Sequence, residues 1–146
     1  MIKFSFQKQF KLYNRRRLKE FLTLLFTGEG FSAQRIDIIF CSDEYLLKIN
    51  QEFLNHDFYT DIVTFGEPLS DKSITGELYI SGDRVMDNAN ALNQDFQREL
   101  HRVIFHGCLH LCGYLDKSSK EIAIMRKMED YYLKKYFNVP HNTVSA

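Results

Sequence analysis

The stretch FQRELHRVIFHGCLHLCG, residues 96–113, is the strongest single constraint on what this chain can build. It reads as a helix, and Gly113 can adopt the left-handed conformation that ends one and turns the chain. Inside it, His106 and His110 stand four residues apart. A helix puts both imidazoles on one face, one turn apart.

Strand and helix patterns mix along the rest of the chain. Residues 2–6 alternate as a strand does, and residues 35–42 are β-branched and apolar. Residues 60–67 and 76–81 give a third and a fourth strand. Residues 14–30 have apolar positions at helical spacing, with Asn14 as N-cap and Gly28 and Gly30 as the stop. Ser42 or Asp43 can cap a helix over 43–54. Residues 82–93 read as another, and a long helix over 119–137 follows Ser118 or Ser119. About four strands and five helices predict an α+β (mixed α/β) fold in which helices cover a sheet. No repeat or Pro/Gly-rich linker interrupts the chain, and its prolines are Pro68 and Pro140, so residues 1–146 are expected to form one domain.

With 146 residues, 45% apolar and 26% charged, the chain has the makings of a soluble globular domain with a real core. The apolar runs at 21–26 and 36–40 are far too short to span a bilayer. The N-terminus lacks the apolar core and cleavage site of a secretory signal, so a cytoplasmic location is expected. Three cysteines, Cys41, Cys108 and Cys112, do not make a disulfide framework. The net charge of zero is unevenly spread: +6 over residues 1–36, −9 over 37–99 and +3 over 100–146. This fits a nucleic-acid footprint beside a metal-holding cleft, but charge alone favours the plainer reading of solvated helix faces.

The histidine pair belongs to a longer pattern, His-x3-His-x2-Gly-x2-Asp. After the turn at Gly113, Asp116 can point back at an ion held by His106 and His110. Cys108 and Cys112 compete for the ligand role, but they project about 200° away around the helix and read as small buried hydrophobes. His101 lies about 140° around from His106 and reads as structural or surface. His56 in a loop and His141 in the tail gain no support as ligands. Three protein ligands leave an open position for a water whose pKa the ion lowers. The expected chemistry is hydrolysis of an ester, amide or phosphodiester by that metal-bound water, with no separate catalytic side chain identified. A His-Glu-x-x-His peptidase carries its general base directly after the first histidine, where this chain has Gly107. That weighs against a metallopeptidase, although the spacing is similar to that of a metzincin.

The segment HGCLHLCGYLD, residues 106–116, resembles the signature His-Gly-x-Leu-His-Leu-x-Gly-Tyr-Asp-His of the YbeY endoribonucleases, the rRNA maturation factors. INQEFLNHDFYTDIVTF (49–65) is similar to that family's Leu-Asn-x-x-Tyr-Arg-x-x-Asp-x-x-Thr-Asp-Val-Leu-Ser-Phe, and GELYIS (76–81) to its Gly-Asp-Ile-x-Ile-Ser strand. REL (98–100), Met128 and Glu129 also fall in familiar places, and the similarity spans roughly residues 35–130. The resemblance implies a mixed sheet of about four strands and a metal-dependent hydrolase of single-stranded RNA. The implied role is in small-subunit rRNA maturation and ribosome quality control, with rRNA or ribosomal particles as partners and neither DNA nor membrane.

In that picture His106, His110 and Asp116 hold one divalent ion, zinc first, while a set of two histidines and a carboxylate also suits nickel, iron or manganese. The chain departs from the family at Asp116, where a third histidine is usual, and at Leu54, where an arginine thought to contact substrate is usual. Arg84 or Arg98, or the basic helix with Arg15, Arg16, Arg17 and Lys19, are candidates to supply the missing charge. Asp57, Asp61 and Glu77 are acidic candidates for moving the proton, with cap or strand-end roles as their plainer reading. A metzincin-like metallopeptidase, or a non-catalytic ribosome-assembly factor with a structural metal, are the alternatives.

Overall fold

A computed structural model describes residues 1–56 and 58–138, so Asp57 and His141 lie outside the described residues. The elements run β1 (Ile2–Phe6), α1 (Arg15–Gly28), β2 (Ser32–Cys41), α2 (Asp43–Phe53), β3 (Ile62–Pro68), β4 (Ser73–Ser81), α3 (Gly82–Ala91), α4 (Phe96–Leu111) and α5 (Ser119–Phe137). The expected α+β architecture is present, with one four-stranded sheet ordered β1-β2-β4-β3. β1 and β4 pair in parallel with β2, and β3 runs antiparallel along β4 as an edge strand.

Alternation sorts the strand residues between two faces. Ile36, Ile38 and Phe40 of β2 and Ile74, Leu78 and Ile80 of β4 enter the main core. There they meet Leu18, Leu22, Leu25 and Phe26 of α1, and Ile104, Phe105, Cys108, Leu109 and Leu111 of α4. α5 adds Met125, Leu133 and Tyr136 to the same cluster. The opposite face is covered by α2, whose Leu46 and Ile49 pack on Cys41 and Val63. The main core brings α4 very close to the sheet. A Cβ at Gly107 would stand 2.6 Å from Leu78 Cδ2 and 2.7 Å from Ile62 Cδ1, so only glycine allows this approach.

Several ends differ from the sequence expectation. Asn14 is left-handed (φ 54°) and its side chain makes no capping hydrogen bond. β2 and β4 each begin three residues earlier than predicted, because Ser32 to Arg35 and Ser73 to Thr75, stretches of mixed polarity, pair with each other. Ser42, and not Asp43, caps α2, accepting from Tyr45 N at 3.0 Å. Ser118 and Glu121 cap α5 reciprocally. Among the described residues no helix is long and apolar enough to cross a membrane.

Candidate metal centre

α4 is buried almost all round. Between positions 101 and 110, Arg102, His106 and His110 alone are not fully buried. They recur every four residues, which makes them one stripe along the helix. Beyond Leu111 the helix closes at Cys112 with Gly113 in the left-handed region (φ 104°). Gly113 N donates to His110 O at 2.9 Å and Tyr114 N to Leu109 O at 3.1 Å, the paired bonds of a Schellman motif. This turn sends the chain back along the stripe and brings Asp116 over the histidines. Asp116 Oδ2 lies 3.3 Å from His106 Nε2 and 3.1 Å from His110 Nε2.

Each imidazole is held from its other nitrogen. His106 Nδ1 lies 2.5 Å from Glu129 Oε2, and His110 Nδ1 lies 2.8 Å from the carbonyl of Tyr114. Both partners are acceptors, so the ring proton belongs on Nδ1 and the Nε2 lone pair faces Asp116. Three electron-pair donors then converge, their atoms all within 4.8 Å of one another, and this group can hold a metal ion. The donor set suits a divalent cation, which balances the carboxylate and accepts from both imidazoles.

Behind His106 stands a buried ionic network. Glu129 on α5 is 2% exposed and takes Arg102 Nη1 at 3.0 Å and Arg126 Nη1 at 3.5 Å. Arg102 also grips buried Glu99 with both arms of its fork, at 2.9 and 2.5 Å. Burial alone would raise the Glu129 carboxyl. The hydrogen bond from His106 and the charge of Arg102 outweigh it and hold Glu129 below the usual carboxylate range. A second network lies behind Tyr114, whose hydroxyl donates to Glu29 Oε1 at 2.8 Å.

The site opens into a cleft of about 610 Å³ lined by Leu54, His56, Asp61, Thr64, Gly66 and Lys117 together with His106, His110 and Asp116. The edge strand β3 forms one wall. Burial pushes the Asp61 carboxyl above its ordinary range, against the pull of Arg102 and His106. Glu77 faces the other side of the sheet, where it accepts from Tyr79 Oη at 3.3 Å. Neither of these carboxylates caps a helix. His56 stacks on Phe58 at the cleft's rim, a place its loop position did not suggest.

The remaining candidates stand elsewhere. Cys108 is fully buried and its thiol is raised well above the usual range by burial. Cys112, also raised by burial, reaches about 12, and neither thiol belongs to the converging group of His106, His110 and Asp116. His101 is a core residue, with Nδ1 2.6 Å from Gln97 O and its ring stacked on Tyr136. Arg84 pairs with Asp43 at 2.6 Å and lies over Tyr59, and Arg98 lies over Phe137; neither lines the cleft in which Leu54 stands. On α1, Arg15, Arg17 and Lys19 lie over the rings of Phe6, Tyr136 and Phe4, and with Arg16 they remain exposed and outside the cleft lining. Sequence reasoning missed Arg102, although its position four residues before His106 on the same stripe was a readable signal.

The family model described as Endoribonuclease YbeY matches residues 3–137. An endoribonuclease YbeY of Cytophaga hutchinsonii is 45% identical over 127 residues, covering 87% of this chain and 89% of that protein. Another, of Flavobacterium psychrophilum, is 42% identical over 142 residues, covering 97% and 100%. A solution structure from Thermotoga maritima superposes with a TM-score of 0.66 at 27% identity, over 94% of this chain and 90% of that one.

Proposed function

The chain belongs to the YbeY family of endoribonucleases, and on that ground we propose that it is a metal-dependent endoribonuclease acting on single-stranded rRNA. The observation that carries the reading is the convergence of His106, His110 and Asp116 at the floor of an open cleft. We assign these three as the ligands of one divalent ion, zinc first, with nickel, iron and manganese compatible with the set. When bound, such an ion supplies Lewis acidity and makes water acidic enough to act near neutral pH.

The chain's own groups do the rest. Glu129 and the Tyr114 carbonyl fix the two imidazoles so that only Nε2 is offered to the ion. Lys117 brings positive charge to the cleft, where a backbone phosphate would lie. Asp61 sits in the same cleft with a raised proton affinity and is suited to hold the proton that hydrolysis releases. The proposed role is maturation of small-subunit rRNA on ribosomal particles in the cytoplasm, with residues 1–146 acting as one domain.

A peptidase is disfavoured by packing as well as by sequence. A glutamate at 107 would point into Leu78 and Ile62 rather than into the cleft. The test is incubation of the purified protein with labelled single-stranded rRNA, the same RNA in duplex form, and casein, each with and without chelator. Cleavage of the single strand alone, lost with chelator and in His110→Ala, is expected. Casein cleavage, or RNA cleavage undiminished by His110→Ala, overturns the proposal. Ribosomal-particle binding without cleavage by the metal-loaded protein would favour the assembly-factor reading.

A further inference from the structure

Glu29 closes α1, where the helix dipole is negative and a carboxylate is disfavoured. Its backbone is nonetheless fixed there: Gly30 N donates to Thr27 O at 3.0 Å and Phe31 N to Phe26 O at 2.8 Å, with Gly30 left-handed. The carboxylate is answered by two phenols. Tyr114 Oη donates to Oε1 at 2.8 Å and Tyr132 Oη donates to Oε2. Tyr114 is also the residue whose carbonyl accepts from His110 Nδ1, and Asp116 follows two positions later. The loop from 112 to 118 is pinned by the Schellman turn at one end and the α5 cap at the other. Between them, Tyr114 is held at both its ends, by its backbone to α4 and by its hydroxyl to Glu29.

We propose that Glu29 is a positioning residue for the metal centre, holding through Tyr114 the loop that presents Asp116 and the carbonyl that aims His110. This rests on the assignment of His106, His110 and Asp116 as ligands. Glu29 lies 77 positions or more from each of them and belongs to none of the motifs that mark the site. The Tyr132 arm hydrogen-bonds the same carboxylate from α5 rather than from the loop. It therefore separates a role at the metal from a role in holding helices together.

The experiment is a Zn²⁺ titration against a chromophoric chelator, run beside thermal melting of the metal-free proteins and the visible spectrum of the Co²⁺ forms. Wild type, His106→Ala, Glu29→Ala, Tyr114→Phe and Tyr132→Phe are compared. Glu29→Ala and Tyr114→Phe are each expected to weaken Zn²⁺ binding about tenfold, the lower end of what a partner behind a ligand contributes. Both should alter the Co²⁺ spectrum, and the double variant should be no weaker than the worse single one. Tyr132→Phe should lower the melting temperature while leaving affinity and spectrum alone. Unchanged affinity in Glu29→Ala and Tyr114→Phe overturns the proposal, as does affinity that falls in step with melting temperature in all three tyrosine and glutamate variants. If Glu29→Ala does not fold, Tyr114→Phe decides alone, since it leaves Glu29 bound to Tyr132. A wild type that binds no Zn²⁺, or a His106→Ala that binds it as tightly, fails the site assignment itself and is distinguished in the same titration.

Discussion

Replacing Glu129 by glutamine tests the network behind His106, because it keeps the shape and removes the charge. The native carboxylate accepts from His106 Nδ1 at 2.5 Å and from Arg102 Nη1 at 3.0 Å while 2% exposed. A glutamine has one acceptor oxygen. If that oxygen stays with His106, the amide N–H groups face the Arg102 guanidinium, donor against donor. The Coulomb attraction lost at 3.0 Å is about 5 kcal/mol at an effective dielectric of about 20. Glutamine is cheaper to bury than a carboxylate, and Arg102 keeps its two-armed grip on Glu99, so the net cost is smaller.

Hydrogen bonds to charged groups are worth about 1.5–3 kcal/mol, and truncating a buried pair costs about 3–5 kcal/mol. The metal-free variant is expected to lose about 2–3 kcal/mol at pH 7. The pH dependence has a definite sign. Glu129 is held below its ordinary range, so its contribution is present above the unfolded value and fades as pH falls through the lower folded one. Urea unfolding at pH 7 and in the acid range should show the gap between wild type and variant closing on acidification. Chelator competition should show Zn²⁺ affinity down about 10- to 100-fold. A variant within about 0.5 kcal/mol of wild type at pH 7, or a gap that widens in acid, refutes this account of the network.

Asp61→Asn should leave the metal-free protein as stable as wild type at neutral pH, or more so. Burial raises its pKa, so ionisation costs stability as pH rises through the folded value, and RNA cleavage should fall by about 10²-fold or more if Asp61 holds the proton. Gly107→Ala should cost about 1–3 kcal/mol in thermal unfolding, because its Cβ meets Leu78 and Ile62; an unchanged melt would mean α4 sits farther from the sheet than described. Asp116→His should retain Zn²⁺ and bind Mn²⁺ more weakly than wild type in the same titration, since an imidazole replaces an oxygen donor; stronger Mn²⁺ binding would contradict Asp116 as a ligand.

The elements were legible because each is marked locally. Serine caps stand before α2 and α5, left-handed glycines follow α1 and α4, and β-branched runs fill the strands. What sequence missed depends on pairing. The first residues of β2 and β4 are mixed in polarity, and each supplies the other's partners. Asn14 has the composition of a cap, but its left-handed backbone keeps the side chain from the helix start. The ligand group divides the same way. His106, His110, Gly113 and Asp116 sit on one helix and one turn, so helical geometry and a single glycine relate them. Glu129, Glu29 and Asp61 come from α5, the end of α1 and the residue before β3, and no spacing rule connects them to α4; Glu129 and Asp61 are marked in the sequence only through the family resemblance and as acidic candidates, and Glu29 not at all.

That division bears on the aspartate at 116, where the family usually has a histidine. His106 is aimed by a carboxylate buried in the network with Arg102, and His110 by a main-chain carbonyl. Neither depends on the side chain at 116. Asp116 itself is 38% exposed and is carried by a loop whose course is set by the Schellman turn, Tyr114 and the α5 cap. A position so placed can change from imidazole to carboxylate without disturbing the two histidines, so the change falls on ion preference and charge rather than on the scaffold. Leu54 is different in kind. It lines the cleft where a cation was expected; Arg84 and Arg98 are not among the residues that line it, and Lys117, beside Asp116 in sequence, is.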